Sequence, residues 1–150
     1  MRNSIKLLST ALGFAILTGC ASVPMGSSEA DAQLKTFTAP PADQSGLYIY
    51  RDSFVGQALK KSVSIDGQII GETAKGVYFH RFLAPGKHVI GTESEFSDNT
   101  LTLVTEPGKN YYLRQYIKMG AFVGGANLEQ ISEEQAQRDL KGCCKLAASK

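Results

Sequence analysis

Glu93 and Glu95 stand two residues apart in Thr92-Glu93-Ser94-Glu95-Phe96, a spacing that puts both carboxyls on one face of a strand. Two carboxylates whose surroundings push their pKa values apart can share acid and base work, so a small envelope glycan hydrolase is one reading. Acids this close on a strand more commonly mark a solvated edge. We expect Glu93 or Glu95 to face Arg114 or Lys118 across a sheet instead, a pairing of about 0.2–1 kcal/mol. His80 and His88 are the two histidines, and neither has a Cys or second His at ligand spacing, so no metal or other cofactor is implied. Ser53, Ser62 and Ser64 lie outside any Gly-x-Ser-x-Gly elbow, and Gly56 to Ser62 lacks the second glycine of a phosphate loop. No motif marks a catalytic residue, and the chain is expected not to be an enzyme.

Recognition has a better candidate. Between Asn110 and Met119, Tyr111, Leu113, Ile117 and Met119 alternate with Tyr112, Arg114, Tyr116 and Lys118. Tyrosine and arginine supply rigid contact area and directional donors, so the second set is the candidate binding face, with Tyr48, Tyr50 and Arg51 extending it. The competing reading is a tyrosine ladder that only stabilises the sheet. Two glycine-bearing apolar loops, Phe54-Val55-Gly56 and Gly120 to Gly125, either touch lipid or a partner or close the ends of the fold. Closing the ends is the reading we expect.

Three cysteines complete the reactive inventory. Arg2 and Lys6 precede an apolar stretch from Leu7 to Leu17, far short of the roughly 20 residues of a membrane-spanning helix, which reads as a secretory leader. Leu17-Thr18-Gly19-Cys20 resembles a bacterial lipobox, which implies cleavage before Cys20 and acylation of its thiol and amine, palmitate among the acyl groups. By the same resemblance Ala21, where an aspartate would retain the protein at the inner membrane, implies the periplasmic face of the outer membrane. Cys143 and Cys144 are adjacent, leaving a strained vicinal ring, an intermolecular bridge or free thiols. The simplest expectation is that one buries as a small apolar residue and the other is incidental.

These residues need a scaffold, and 150 residues with 43% hydrophobic side chains build one domain. Sixteen Lys and Arg oppose fourteen Asp and Glu, and loss of Arg2 and Lys6 with the leader leaves fourteen of each. A neutral chain lacks the concentrated positive field that grips nucleic acid. Residues 1–19 are the leader, 20–45 a lipidated, flexible tether rich in Ser, Ala, Pro and Gly, within which Glu29 to Phe37 either form a short turn of helix or lie against the domain, and 46–150 the folded domain. A coil of about 25 residues would span roughly 25 to 30 Å, holding the domain clear of the headgroups. Seven β-rich runs follow: Leu47 to Arg51, Lys60 to Asp66, Gln68 to Gly71, Val77 to Leu83, His88 to Glu93, Thr100 to Thr105 and Asn110 to Lys118. Asp66-Gly67 predicts a type I′ hairpin. Pro85-Gly86-Lys87 and Pro107-Gly108-Lys109 predict turns within a meander. Ser132-Glu133-Glu134-Gln135 has the form of a capping box before a short helix ended by Gly142. The expected fold is mainly β, an antiparallel β-sandwich with a C-terminal α-helix.

Gly46 to Arg51, Phe54 and Gly56, Asp66-Gly67, Ile70-Gly71-Glu72, Gly76 to Phe79, Pro85 to His88 and Asn110 to Arg114, in that order, resemble a family of bacterial lipoproteins catalogued as a domain of unknown function, DUF2846. The Asp-Gly hairpin and later Pro-Gly turn are also similar to the carbohydrate- or surface-associated PEGA β-sandwich domains. Neither resemblance implies catalytic residues. The expectation is a non-catalytic binding or envelope-assembly module, held to a membrane through Cys20, whose partner is an envelope protein or glycan. A purely structural envelope spacer is the remaining alternative.

Overall fold

A computed structural model describes residues 21–150 of the chain; the leader and Cys20 lie outside the described residues. Helix α1 (Ser28–Leu34) precedes eight strands, β1 (Ser45–Arg51), β2 (Lys61–Ile65), β3 (Gln68–Thr73), β4 (Val77–Leu83), β5 (Gly86–Thr92), β6 (Asn99–Thr105), β7 (Asn110–Lys118) and β8 (Gly125–Gln130). Helix α2 (Glu133–Cys143) and the two-residue strand β9 (Lys145–Leu146) end it. One sheet has the order β8-β7-β1-β4-β9 and the other β3-β2-β5-β6, so the expected mainly β sandwich with a C-terminal helix is the observed architecture.

Alternation explains how the sheets stack. Val63, Ile65 and Ile90 from one sheet meet Leu47, Ile49, Phe79 and Leu113 from the other in an apolar core. Full burial of each such side chain contributes about 1.5–3 kcal/mol. A polar bridge crosses this core. Gln115 on β7 donates to Thr92 Oγ1 on β5 at 2.7 Å and accepts from the Thr73 hydroxyl on β3, with all three side chains buried. The Thr92 hydroxyl, accepting from Gln115, donates in turn to the Ser62 carbonyl at 3.2 Å, so the bridge is continued to the backbone of β2.

The turn chemistry is partly as predicted. Asp66 and Gly67 take φ of 50° and 81° and join β2 to β3 as a hairpin. The two Pro-Gly turns do something else: β4 and β5, like β6 and β7, belong to different sheets, so each turn carries the chain across the sandwich instead of closing a hairpin. That crossing delivers β7 alongside β1 in the same direction, and these central strands pair in parallel, as do β4 and β9. The expected antiparallel sandwich of about seven strands is observed with nine, antiparallel in every pairing except β1–β7 and β4–β9. β8 and β9 escaped notice because one follows the glycine-rich loop and the other is two residues long.

For the described residues the flexible tether is also corrected, while α1 and Phe37 match the alternative given for Glu29 to Phe37, a helical turn lying against the domain. Among residues 21–45, Val23 is buried in the core, Met25 forms a β-bridge with Ala147, and Gly26 N–H donates to the Leu146 carbonyl at 2.9 Å. Ser27 caps α1 by accepting from Ala30 N–H, and Phe37, at a φ of 53°, is buried against the outer face of β1.

Gly71 marks where the packing is tightest. A Cβ there would lie 2.6 Å from the Phe79 ring, on a backbone with a φ of 155°. Gly71→Ala should therefore lower unfolding free energy by about 1–3 kcal/mol through overpacking. Urea melts measure this, and an unchanged midpoint would refute the close approach.

Candidate functional site

The strands bring the predicted tyrosine face together but cover it. Tyr112, Tyr48 and His80 lie side by side on β7, β1 and β4, and Arg114, Tyr50 and Tyr78 form the next row. Tyr48 and Tyr112 stack at 5.1 Å between centroids, and Phe37 packs on both from above. Ala136 and Leu140 of α2 complete the cover, leaving Tyr48, Tyr50, Tyr78 and Tyr112 no more than 2% exposed. Tyr112 and its proposed extensions Tyr48, Tyr50 and Arg51 thus serve the interior. Arg114 remains half-buried and bonds Glu129 at 2.7 Å, with Asp52 at 3.9 Å; Tyr116 bonds Asn127, and exposed Lys118 lies 5.9 Å from the Tyr116 ring. Three of the four predicted binding residues are therefore at the surface, one of them in an ion pair.

The paired glutamates are separated in role. Glu93 reaches Lys61 at 3.5 Å and the Ser62 amide at 3.3 Å, so the pairing with Arg114 or Lys118 is not the one observed. Glu95 accepts the backbone N–H groups of Ala121, Phe122 and Val123. Burial opposes its ionisation, yet those three amides outweigh burial and hold the carboxyl below the usual range. Glu95 is thus the clamp of the 119–124 loop.

The cysteines form a vicinal disulfide, with Cα atoms 3.7 Å apart; Cys143 is exposed and Cys144 buried, its Sγ 3.9 Å from the Arg51 carbonyl oxygen. Arg51 itself is wholly buried. Its guanidinium donates to the Leu59 carbonyl at 2.8 Å and to that of Gly56, and its Nε has no partner. Burial lowers its pKa, while the carbonyls stabilise the charge it keeps.

A cleft of about 430 Å³ opens where the cover is incomplete. Its floor is the outer face of β1 and β4, with Tyr48, His80 and Phe82; its wall is α1 and the segment after it, including Gln33, Thr36 and Thr38. Gly46 lies beside it, and a Cβ there would collide with Asn110 Oδ1 and come within 3.4 Å of His80 Nε2. The His80 ring stands 4.5 Å from Tyr48 and 4.8 Å from Phe82, the latter edge-on. Burial, then the nearby Arg81, lowers its pKa to about 4, so the imidazole is neutral over the physiological range. No Lys, Arg, Asp or Glu lines this space. Sequence reasoning missed it because α1 was assigned to a tether; the alternation His80-Arg81-Phe82, opposite Gly46, was the available signal.

These features define a two-sheet β domain with a helical cover and one uncharged, aromatic-floored cleft among those described. Residues 41–126 match the family described as "Protein of unknown function (DUF2846)", and the chain belongs to that family. The match spans β1 to β7, leaving α1, α2 and β9 outside it. A Haemophilus influenzae protein described as an uncharacterized protein is 54% identical over 125 residues, 83% of this chain and 74% of its own. No solved structure matches the chain.

The two histidines should titrate apart. For His88, burial opposes the charge, but Asp66 at 2.7 Å and the Ala84 carbonyl at 2.8 Å outweigh it and raise the pKa. Its stabilising contribution is present below the ordinary value of 6.5 and fades as pH rises through the raised one. His80 has the opposite sign: between 6.5 and about 4 the unfolded chain takes a proton that the native state refuses, so stability falls as pH falls. An NMR titration of the imidazoles should show His80 near 4 and His88 above 6.5. His80→Gln should flatten the acid-side loss of stability. Coincident titrations would refute both environments.

Proposed function

We propose that the chain is an envelope lipoprotein, anchored at the periplasmic face of the outer membrane by acyl chains on Cys20, and a non-catalytic module that binds an envelope glycan in the Tyr48–His80–Phe82 cleft. Leu17-Thr18-Gly19-Cys20 and the following Ala21 support the anchor and its location. Each buried methylene of the acyl chains contributes about 0.8 kcal/mol, so two chains hold where one would not.

The cleft carries the binding reading. With Tyr48 buried beneath, Phe82 and the accessible edge of His80 offer apolar area to the C–H face of a sugar ring, while Gln33, Thr36 and Thr38 at the wall offer hydrogen-bonding groups without net charge. The neutral His80 imidazole is both a donor and an acceptor. Binding is favoured over hydrolysis because the cleft lining has no carboxyl, and Glu93 and Glu95 are engaged with Lys61 and with backbone amides.

Two measurements test the proposal. The intact mass of the protein from bacterial membranes should equal residues 20–150 plus a diacylglyceryl group and an amide-linked acyl chain, and Cys20→Ser should lack both. Soluble N-acetylated oligosaccharides of envelope glycan should shift the His80 imidazole resonances saturably, and Phe82→Ala should weaken that binding at least tenfold. An unmodified mass would remove the anchor. Absence of any His80 shift at millimolar sugar would remove the glycan.

A further inference from the structure

The end of the sandwich opposite the cleft is apolar and open to solvent. Phe54 and Val55 on the β1–β2 loop, Phe96 on the β5–β6 loop, and Met119, Phe122 and Val123 on the β7–β8 loop are 49% to 86% exposed. The expectation that the two glycine-bearing loops seal the ends is corrected here: their backbones pack inward, but these side chains do not. The three loops are one surface. A Cβ on Gly56 would touch Ile117, one on Gly124 would touch Leu59, and Glu95 grips the amides of Ala121, Phe122 and Val123 beside Phe96. Contiguous apolar loops held rigidly in water mark a contact site.

The course of the chain says what covers it. Ala21 N–H donates to the Gln57 carbonyl at 3.3 Å, on the same loop as Phe54 and Val55. Ala21, the first described residue, therefore stands at this apolar end, one residue from Cys20 in the sequence. The segment after Ala21 is packed along the domain, with Val23 in the core and Gly26 bonded to Leu146. Lysines border the patch, Lys118 exposed before Met119 and Lys75 at 4.5 Å over the Phe54 ring, placed to reach anionic headgroups while their stems lie on apolar surface. Asp98 is exposed on the middle loop; Glu95 is occupied by its amides.

We infer that this loop end is a second membrane contact, in which the apolar side chains enter the interfacial zone of the bilayer beside the acyl chains of Cys20. The inference rests on the lipoprotein reading above and adds to it a fixed orientation of the domain. A lipid chain joined to an apolar surface holds better than either alone, and it also removes the rotational freedom that a bare tether would leave.

The chain has no tryptophan, so a single one reports on its own position. Phe122→Trp and Phe54→Trp place it at the apolar end; Val104→Trp, at an exposed site paired with Lys87 near the far end of β6, is the control. The full mature proteins are reconstituted with vesicles of phosphatidylethanolamine and phosphatidylglycerol, and their intact masses recorded. The expected result is a blue-shifted emission for Trp at 54 and 122, quenched by brominated acyl chains, with Val104→Trp unchanged. If acylated protein floats with the vesicles but Trp at 122 and 54 stays in water, the membrane contact is overturned, the anchor stands, and the patch belongs to a protein partner. If the mass shows no acyl group yet both tryptophans still shift on vesicles, the membrane contact stands without the lipid anchor. Equal responses at all three positions would also overturn it.

Discussion

The outer face of the five-stranded sheet cannot stand in water as it is built. Tyr48, Tyr50, Tyr78 and Tyr112 present a continuous aromatic surface on three adjacent strands, and sheets leave such area open only at a contact. The chain covers it with its own two ends. Phe37 and Leu34 arrive from one side, Ala136 and Leu140 from the other, and the phenol groups find partners in that cover: Tyr48 donates to the Leu34 carbonyl and Tyr50 to Asp139. Aromatic pairs in such a layer add about 0.5–1.5 kcal/mol each beyond the area they bury. The domain is thus three layers deep, and the middle sheet is buried on both faces.

That requirement accounts for what happens to both termini. The segment after Ala21 is drawn along the domain because Phe37 and Leu34 must reach the tyrosines, and β9 forms because the chain leaving α2 runs beside β4. Asp31 joins the two covers: it holds Lys35 at 3.0 Å and accepts the Leu146 amide at 2.9 Å. Arg51 links the middle sheet to the apolar loops. Sequestering a guanidinium costs several kcal/mol, offset here by the Leu59 and Gly56 carbonyls, which leaves the β1–β2 loop with a fixed shape. The exposed Phe54 and Val55 are therefore presented by a rigid turn.

Much of this was legible in the residues. The period-two alternation of Val63 and Ile65 against Ser62 and Ser64, the Asp66-Gly67 turn and the Ser132 cap each translate directly into local geometry, because each depends on a few neighbouring residues. What could not be read was long-range. Alternation in β7 separates two faces without saying that the second is covered, so Tyr112 looked available when α2 sits on it. A Pro-Gly turn looks the same whether it returns to its own sheet or crosses to the other, and the choice decides that β7 lies parallel to β1. The cleft was long-range too: its floor joins buried Tyr48 to His80 and Phe82 on the neighbouring strand, and its wall is the supposed tether.

The cleft and the apolar loops lie at opposite ends of the same strands. β1 runs from Ser45, next to Gly46 beside the cleft, to Arg51, whose guanidinium holds the loop bearing Phe54; at about 3.3 Å per residue, its ends lie roughly 20 Å apart. With the loop end on a bilayer, the Tyr48–His80–Phe82 floor is carried away from the headgroups, into the space where a glycan would be met. A free tether would have allowed the cleft to face any direction, membrane included. Packing the N-terminal segment on the tyrosine face instead leaves Ala21, the first described residue, bonded to Gln57 at the loop end. The neutral lining is consistent with that arrangement, since His80 held uncharged gives the cleft no charge to be drawn toward or repelled from a lipid surface.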